Sequence, residues 1–544
     1  MTLVIGGSGR VKETETSALE YPECESLGLL KMDFLGLRTM SVIEESIENI
    51  NKLNNTNMSY LDIPIYDTNI YKLPAEGKNK GLFQIESKGM VSLMTDLMEP
   101  ALYRENTEEL GRALFDRLVA GISLYRPGPM DYIDEYKENM KHPEFIKYDT
   151  PELEPILKET FGQIVYQEQT MEIARRLAGY SMSQADILRK AMGKKKRDIM
   201  EKEKPRFIKG CINNNISKEV ATIIWDKMEK FCEYAFNKSH STGYAYISAW
   251  TMWLKYYYPD IFFAALLNSY IGKIEDITDT LNQIKNEFPN IKILPPSIND
   301  SGLIFKAKDG NIIYGLSAVK SIGKTAEKII EERNNGNFTN FSNFYNRVKP
   351  KKNVSEGLIC VGAFEEFGIN RRTLMENQEF FIKDAERMKK QVSGQFDFFG
   401  SVEDSQSFKT YNEYGEIKLM NLEKDYCGFI ITDVPTKKYK NKTTTDIKDI
   451  DSNIGNFIKL CVVVEETKTV HTKAGKELKI ISVFDETGSY KVFYYMGNTT
   501  TMQSKILALR KNNMCYLMGN VKNGKYGAYF NLSGVTNIET KENI

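Results

Sequence analysis

Histidine is almost absent and cysteine is sparse. Three histidines (His142, His240, His471) and seven cysteines (Cys24, Cys211, Cys232, Cys360, Cys427, Cys461, Cys515) are scattered over 544 residues. There is no CxxC pair and no Cys/His cluster, which excludes a zinc site or histidine-rich metal centre as a reading. Dispersed cysteines fit reduced thiols in a cytoplasm. An excess of one charge sign is also missing, since 73 Lys+Arg face 73 Asp+Glu. A chain-wide polycation for nucleic acid is therefore excluded, and any basic surface has to be local. Long apolar runs are lacking as well. The nearest to a membrane span, Gly243 to Tyr270, is interrupted by Lys255, Pro259 and Asp260, which predicts two buried aromatic helices and no membrane partner. The opening Met1-Thr2-Leu3-Val4-Ile5-Gly6-Gly7 is too short for a signal-peptide core and has no basic leader.

What is there supports several cores: 41% of residues are hydrophobic and 27% charged. At roughly 150 residues per domain the length suggests three or four domains. Alternation in Leu29–Leu35 predicts a strand ended by Gly36. From about 40 to 290 a 3.6-residue period dominates and predicts helices over 41–53, 169–177, 183–192, 218–231 and 248–257. Ser183 with Asp186 reads as a capping start, and Gly179 as the stop of the helix before it. Residues 301–375 read as short helices around glycine turns, and 376–455 as a helix plus a polar connector. Five strands follow, at 458–464, 478–484, 490–495, 514–521 and 526–532, with one helix at 501–509 and turns at 473–475, 487–489 and 523–524. That count suits a small OB-type barrel, with another small barrel as the alternative.

Five constellations carry possible chemistry. Lys31 and Asp33, two apart on a strand, share a face roughly 6–7 Å from one another. The acid can hold a divalent metal while the lysine neutralises a phosphate; a solvated strand edge is the plain alternative. Between Asp186 and Lys209 ten Lys/Arg, including Arg189, Lys190 and Lys194, stand against four acids. A helix breaking at Gly193 into that basic loop suits polyphosphate or a nucleic-acid backbone, and a solvated face is the alternative. Phe236-Asn237-Lys238-Ser239-His240-Ser241 reads as a polar loop between aromatic helices, facing a ligand or merely structural. Leu316 to Ala326, with Lys320, Gly323 and Lys324, is similar to a helix-hairpin-helix whose turn amides meet a DNA phosphate, although Ser321 replaces the usual first glycine. Gln395-Phe396-Asp397-Phe398-Phe399 in a polar connector fits a peptide that plugs an apolar pocket on a partner, a local turn being the alternative.

In this order the segments resemble the alpha (catalytic) subunit of bacterial DNA polymerase III, the C-family replicative polymerase. The likeness runs through Leu29–Leu37, Gly81-Leu82-Phe83-Gln84-Ile85-Glu86-Ser87-Lys88-Gly89-Met90 and Leu124-Tyr125-Arg126-Pro127-Gly128-Pro129-Met130. It continues through Val165-Tyr166-Gln167-Glu168-Gln169, Ala178–Ser181, Leu188–Lys195, Phe236–His240 and Leu294-Pro295-Pro296. The resemblance implies a multidomain α+β chain. Its parts are a partial β-polymerase-like palm edge with the start of the fingers (1–90), large mostly α-helical fingers (91–300), a helix-hairpin-helix region (301–390), a connector with a clamp-binding peptide (391–455) and a C-terminal OB-type β-barrel (456–540). It implies Asp33 as one Mg²⁺-binding palm aspartate, with Lys31 beside the triphosphate. Arg189, Lys190, Lys194, Asn237, Lys238 and His240 would meet the deoxynucleoside triphosphate, with Lys190 where a second arginine is usual. Lys320, Gly323, Lys324, Lys473, Lys476, Phe493 and Tyr494 would meet primer–template DNA. Gln395, Phe398 and Phe399 would bind the sliding clamp, with Phe398 in place of an aliphatic residue.

The family's Pro-Asp-x-Asp-x-Asp-Phe motif, source of two further metal aspartates, is missing from this sequence, and only 32 residues precede Asp33. Asp446, Asp449 and Asp451 lie in a polar connector and are not counted as substitutes. The sequence therefore reads as the carboxyl-terminal half of a split polymerase, completed by an amino-terminal half on another chain. A non-catalytic DNA-binding and clamp-tethering remnant is the rival reading. The retained Lys31 and Asp33 speak against it, because a protein that only binds DNA gains nothing from a metal ligand.

Overall fold

Leucine, isoleucine and aromatic residues at helical spacing build a mostly helical body, followed by an antiparallel sheet. The computed structural model describes residues 21–28, 36–193, 197–232, 236–392, 408–432, 434–471, 477–496, 501–524 and 527–538. The expected strand with Lys31 and Asp33 lies outside those residues, and so do Lys194, Gln395, Phe398, Phe399, Lys473 and Lys476. Among the described residues no helix is long and apolar enough to cross a membrane.

The aromatic stretch forms two helices, Lys238–Tyr257 and Pro259–Asn268, as its interruptions predict. Pro259 takes the first helical position, where its missing N–H costs nothing. The second helix buries Ile261, Phe262, Phe263 and Leu266, each contributing about 1.5–3 kcal/mol of apolar burial. One core runs from Val42 to Phe429 and a second lies within 153–231.

Two expectations about helix starts need correction. The helix Met182–Gly193 is capped two residues earlier than expected, by Ser181 and Gln184. The Gln184 N–H donates to Ser181 Oγ (3.3 Å) and the Ser181 N–H to Gln184 Oε1 (3.0 Å). Phe236–Ser241 is not a loop: Asn237 is the N-cap and Lys238 opens the next helix. Gly179 does end its helix, at φ 70°.

Residues 293–313 add a small sheet absent from the sequence reading: β1 (Ile293–Leu294) parallel to β3 (Asn311–Ile313), and β2 (Lys306–Lys308) antiparallel to β3. These strands hold two or three residues each, too few to show a period of two. A second helix in the connector, Glu416–Cys427, was also missed. It carries Glu423, fully buried and paired with buried Arg371 at 2.9 Å; its other oxygen accepts from the N–H groups of Ile431 and Thr432.

The carboxyl-terminal strands are β4 (Phe457–His471), β5 (Glu477–Phe484), β6 (Ser489–Tyr495), β7 (Met514–Gly524) and β8 (Gly527–Asn537), ordered β6-β5-β4-β7-β8 and all antiparallel. Asn523 and Gly524, expected as a turn, are instead the last two residues of β7. The Phe530 N–H on β8 donates to the Tyr490 hydroxyl on β6 (3.1 Å), bringing the two edge strands together there.

Candidate functional site

Four of the segments singled out in the sequence converge on the start of one helix, Gln167–Ala178. Its buried Gln169 does the local work. Gln169 Oε1 accepts from the N–H groups of Val165 (2.9 Å) and Tyr166 (3.0 Å). Its Nε2 donates to Ile156 O (3.2 Å) and Thr160 Oγ1 (2.8 Å). A buried amide with every valence used fixes the entering chain in one path. That path pairs with 236: the Phe236 N–H donates to Val165 O (3.2 Å) and the Gln167 N–H to Phe236 O (3.0 Å).

Around this pairing stand the expected nucleotide residues. Arg189 reaches Gln167 Oε1 through Nη1 (2.9 Å) and holds Asp186 Oδ1 through Nη2 (2.7 Å). Lys190 holds the other Asp186 oxygen at 2.7 Å. Hydrogen bonds from Lys190 and then Arg189 keep the partly exposed Asp186 carboxyl below the usual carboxylate range. Both cations are thus held on one carboxylate. Glu168 accepts from Asn237 Nδ2 (2.9 Å) and from the Lys238 N–H (3.0 Å), while Lys238 Nζ pairs with Glu159 (2.6 Å). The His240 N–H is capped by Asn237 Oδ1 (2.9 Å), leaving its ring exposed.

That ring belongs to an aromatic row. The Arg126 guanidinium lies 3.5 Å from the Phe236 ring centroid, Phe236 lies 5.3 Å from His240, and His240 lies 4.5 Å from Tyr244. Phe83 closes the row at 5.3 Å from Tyr244. Burial lowers the Arg126 pKa, with Tyr244 opposing it. Arg126, Phe83, Gln167, Glu168 and Tyr244 had no role in the sequence reading. Arg126, Phe83, Gln167 and Glu168 sit inside the quoted motifs, which was the available signal. Two glycines explain how the motifs meet. A Cβ on Gly81 (φ 76°) would lie 2.6 Å from Leu266, and one on Gly89 would lie 1.7 Å from the Tyr125 hydroxyl.

The hairpin residues form a second locality. Ser321 adopts φ 74°, the left-handed conformation that the usual glycine would take, and Gly323 follows at φ 51°. Ser321 Oγ donates to Asn353 O (3.1 Å) and holds the turn. Lys320, Gly323 and Lys324 are all exposed. On β6, Phe493 and Tyr494 face opposite ways: Phe493 is half exposed, whereas Tyr494 packs against the sheet's core.

Among the described residues no group of three or more His, Cys, Asp or Glu could hold a metal ion. Asp33, the one expected ligand, lies outside them. The described part therefore offers no cradle for Mg²⁺.

The helical platform thus holds its cations beside an aromatic row, and the hairpin turn exposes two lysines. Residues 39–215 match the bacterial DNA polymerase III alpha subunit finger domain, and residues 290–374 match a helix-hairpin-helix motif. The chain is 36% identical over 502 residues to DNA polymerase III subunit alpha of Aquifex aeolicus, covering 89% of this chain and 40% of that protein. It is 35% identical over 491 residues to the Bacillus subtilis subunit, covering 87% of this chain and 42% of that protein. The Staphylococcus epidermidis subunit is 35% identical over 469 residues. The chain is thus similar to DNA polymerase III alpha subunits along most of its own length and spans about two-fifths of the length of these relatives.

Proposed function

We propose that the chain supplies the nucleotide- and DNA-holding part of template-directed DNA synthesis, as the carboxyl-terminal half of a split polymerase working in the cytoplasm. The observation that carries this is the convergence of Arg126, Gln167–Gln169, Arg189 and Phe236–His240 at one helix start, with the aromatic row running on to Phe83. Arg189, Lys190 and Lys194 would take the triphosphate of the incoming deoxynucleotide in exchange for Asp186, and Lys31 would neutralise it from the palm edge. The exposed His240 ring in its aromatic row suits the flat face of a base. Lys320, Gly323 and Lys324 would hold the primer–template backbone without reading sequence. The five-stranded sheet would be the wall of an OB-type barrel, with Phe493, Lys473 and Lys476 toward a single strand. Gln395, Phe398 and Phe399 would tether the sliding clamp.

Asp33 would be one of three carboxylates for Mg²⁺, the other two residing on an amino-terminal polymerase half. That ion, when bound, supplies charge neutralisation at the transferring phosphate. Purified chain should bind fluorescent primer–template in an anisotropy titration, with log affinity falling linearly in log salt between about 50 and 200 mM. Absence of binding at the low-salt end would contradict the proposal.

A further inference from the structure

Arg117 occupies an unusual position. It projects from the helix Glu108–Leu124, half-buried, and makes no ion pair among the described residues. Its Nη1 donates to Leu97 O (3.3 Å), but its Nε is buried with no hydrogen-bond partner. Burial lowers its pKa, and nearby Arg104 lowers it further while Tyr136 opposes. The Phe161 ring centroid lies 5.9 Å from the guanidinium, but a half-buried cation beside a second cation, with no carboxylate bonded to it, is costly unless an anion arrives. Arg117 lines two adjoining clefts of about 360 and 500 Å³, and Arg104 lines both with it. Lys141 and Tyr103 complete the smaller cleft, Tyr103 being 77% exposed. Four acids line the two clefts: Asp96, already held by Lys137 at 3.0 Å, and Glu99 in the smaller, Glu105 and Glu109 in the larger.

We propose that Arg117, Arg104 and Lys141 form a phosphodiester site for a single nucleic-acid strand, with Tyr103 as the platform for an adjacent base. The guanidinium fork of Arg117 matches two phosphate oxygens once the side chain turns its orphaned Nε toward the cleft. An exposed tyrosine beside such a site is what sequence-tolerant strand binding uses. The inference rests on the DNA-handling reading above but names a patch separate from the residues that reading uses.

The test is anisotropy of the whole chain with a labelled oligothymidylate across a salt series. Tyr103→Ala and Arg104→Gln alter exposed side chains and leave the fold intact; Arg117→Lys keeps the charge and removes the fork. Tyr103→Ala should weaken binding about 5- to 150-fold. Arg104→Gln should reduce the salt slope by roughly 0.7. Arg117→Lys should weaken binding while leaving the slope nearly unchanged. Strand binding by the wild type that none of the three alters would overturn the site while sparing the DNA-handling reading. No strand binding by the wild type would remove both. Displacement of the strand by millimolar inorganic phosphate at constant ionic strength, with Tyr103→Ala silent, would assign the cleft to a free anion and overturn the strand assignment.

Discussion

Replacing Gln169 by leucine tests whether one buried amide holds the candidate site together. The side chain is 4% exposed, and its oxygen is the acceptor for the N–H groups of Val165 and Tyr166, both buried. Leucine leaves those two donors without a partner inside the protein, at about 1–3 kcal/mol each. It also strips a donor from Ile156 O and Thr160 Oγ1. The added apolar surface returns at most about 1–2 kcal/mol. A net loss of about 3 kcal/mol follows, equivalent to roughly 100-fold in a local opening equilibrium. Native-state hydrogen exchange should therefore show the amides of 165 and 166 losing about 100-fold protection. The loss should extend to Phe236, whose N–H is held by Val165 O. Gln169→Glu supplies a check: it retains the acceptor but loses both donor bonds, so it should keep more of the protection at 165 and 166. Unchanged protection at those amides in Gln169→Leu would refute the reasoning.

Lys255 is fully buried and donates to Lys78 O (2.8 Å) and Lys80 O (2.9 Å), holding the loop that leads into Gly81-Leu82-Phe83. Burial pushes its pKa down to about 8, against the pull of Glu287. Between that value and 10.5 the unfolded chain keeps a proton the folded chain has shed, so stability relative to Lys255→Met should climb with pH. The climb should reach about 3 kcal/mol by pH 10.5 in denaturant titrations, and a flat difference would contradict it. Changing Lys320 and Lys324 together to glutamine should reduce the salt slope for duplex DNA by roughly 1.8 without altering stability, because both side chains are exposed. An unchanged slope would remove the hairpin from the DNA contact. In the complex with an amino-terminal polymerase half, Phe398→Ala with Phe399→Ala should abolish clamp-stimulated synthesis and spare clamp-free synthesis, each anchor contributing about 2 kcal/mol or more. Equal binding of wild type and double mutant to immobilised clamp would show the tether to be elsewhere.

The helices were legible because their apolar faces repeat over ten residues or more, as in Lys218–Cys232. Their ends were less so. Two serines two residues apart, Ser181 and Ser183, are equal candidates until the reciprocal bond from Gln184 selects the first. The row from Arg126 to Phe83 joins segments more than 100 residues apart, and a local period holds no information about such encounters. The hairpin was recognised despite Ser321, and the structure shows why the substitution is tolerated: the serine takes the left-handed angle and its hydroxyl finds Asn353 O. Phe493 and Tyr494 were paired on residue type, whereas adjacent strand residues must face opposite ways. A stricter reading of the alternation would have placed Lys491 and Tyr495 beside Phe493.

Primer extension tests the central claim most directly. The chain should add no nucleotides to a primed template by itself. It should extend the primer when co-expressed with an amino-terminal fragment of a related polymerase that carries the Pro-Asp-x-Asp-x-Asp-Phe motif. Asp33→Asn in that complex should abolish extension while primer–template binding persists. Efficient extension by the homogeneous single chain, or full activity of the Asp33→Asn complex, would contradict the account.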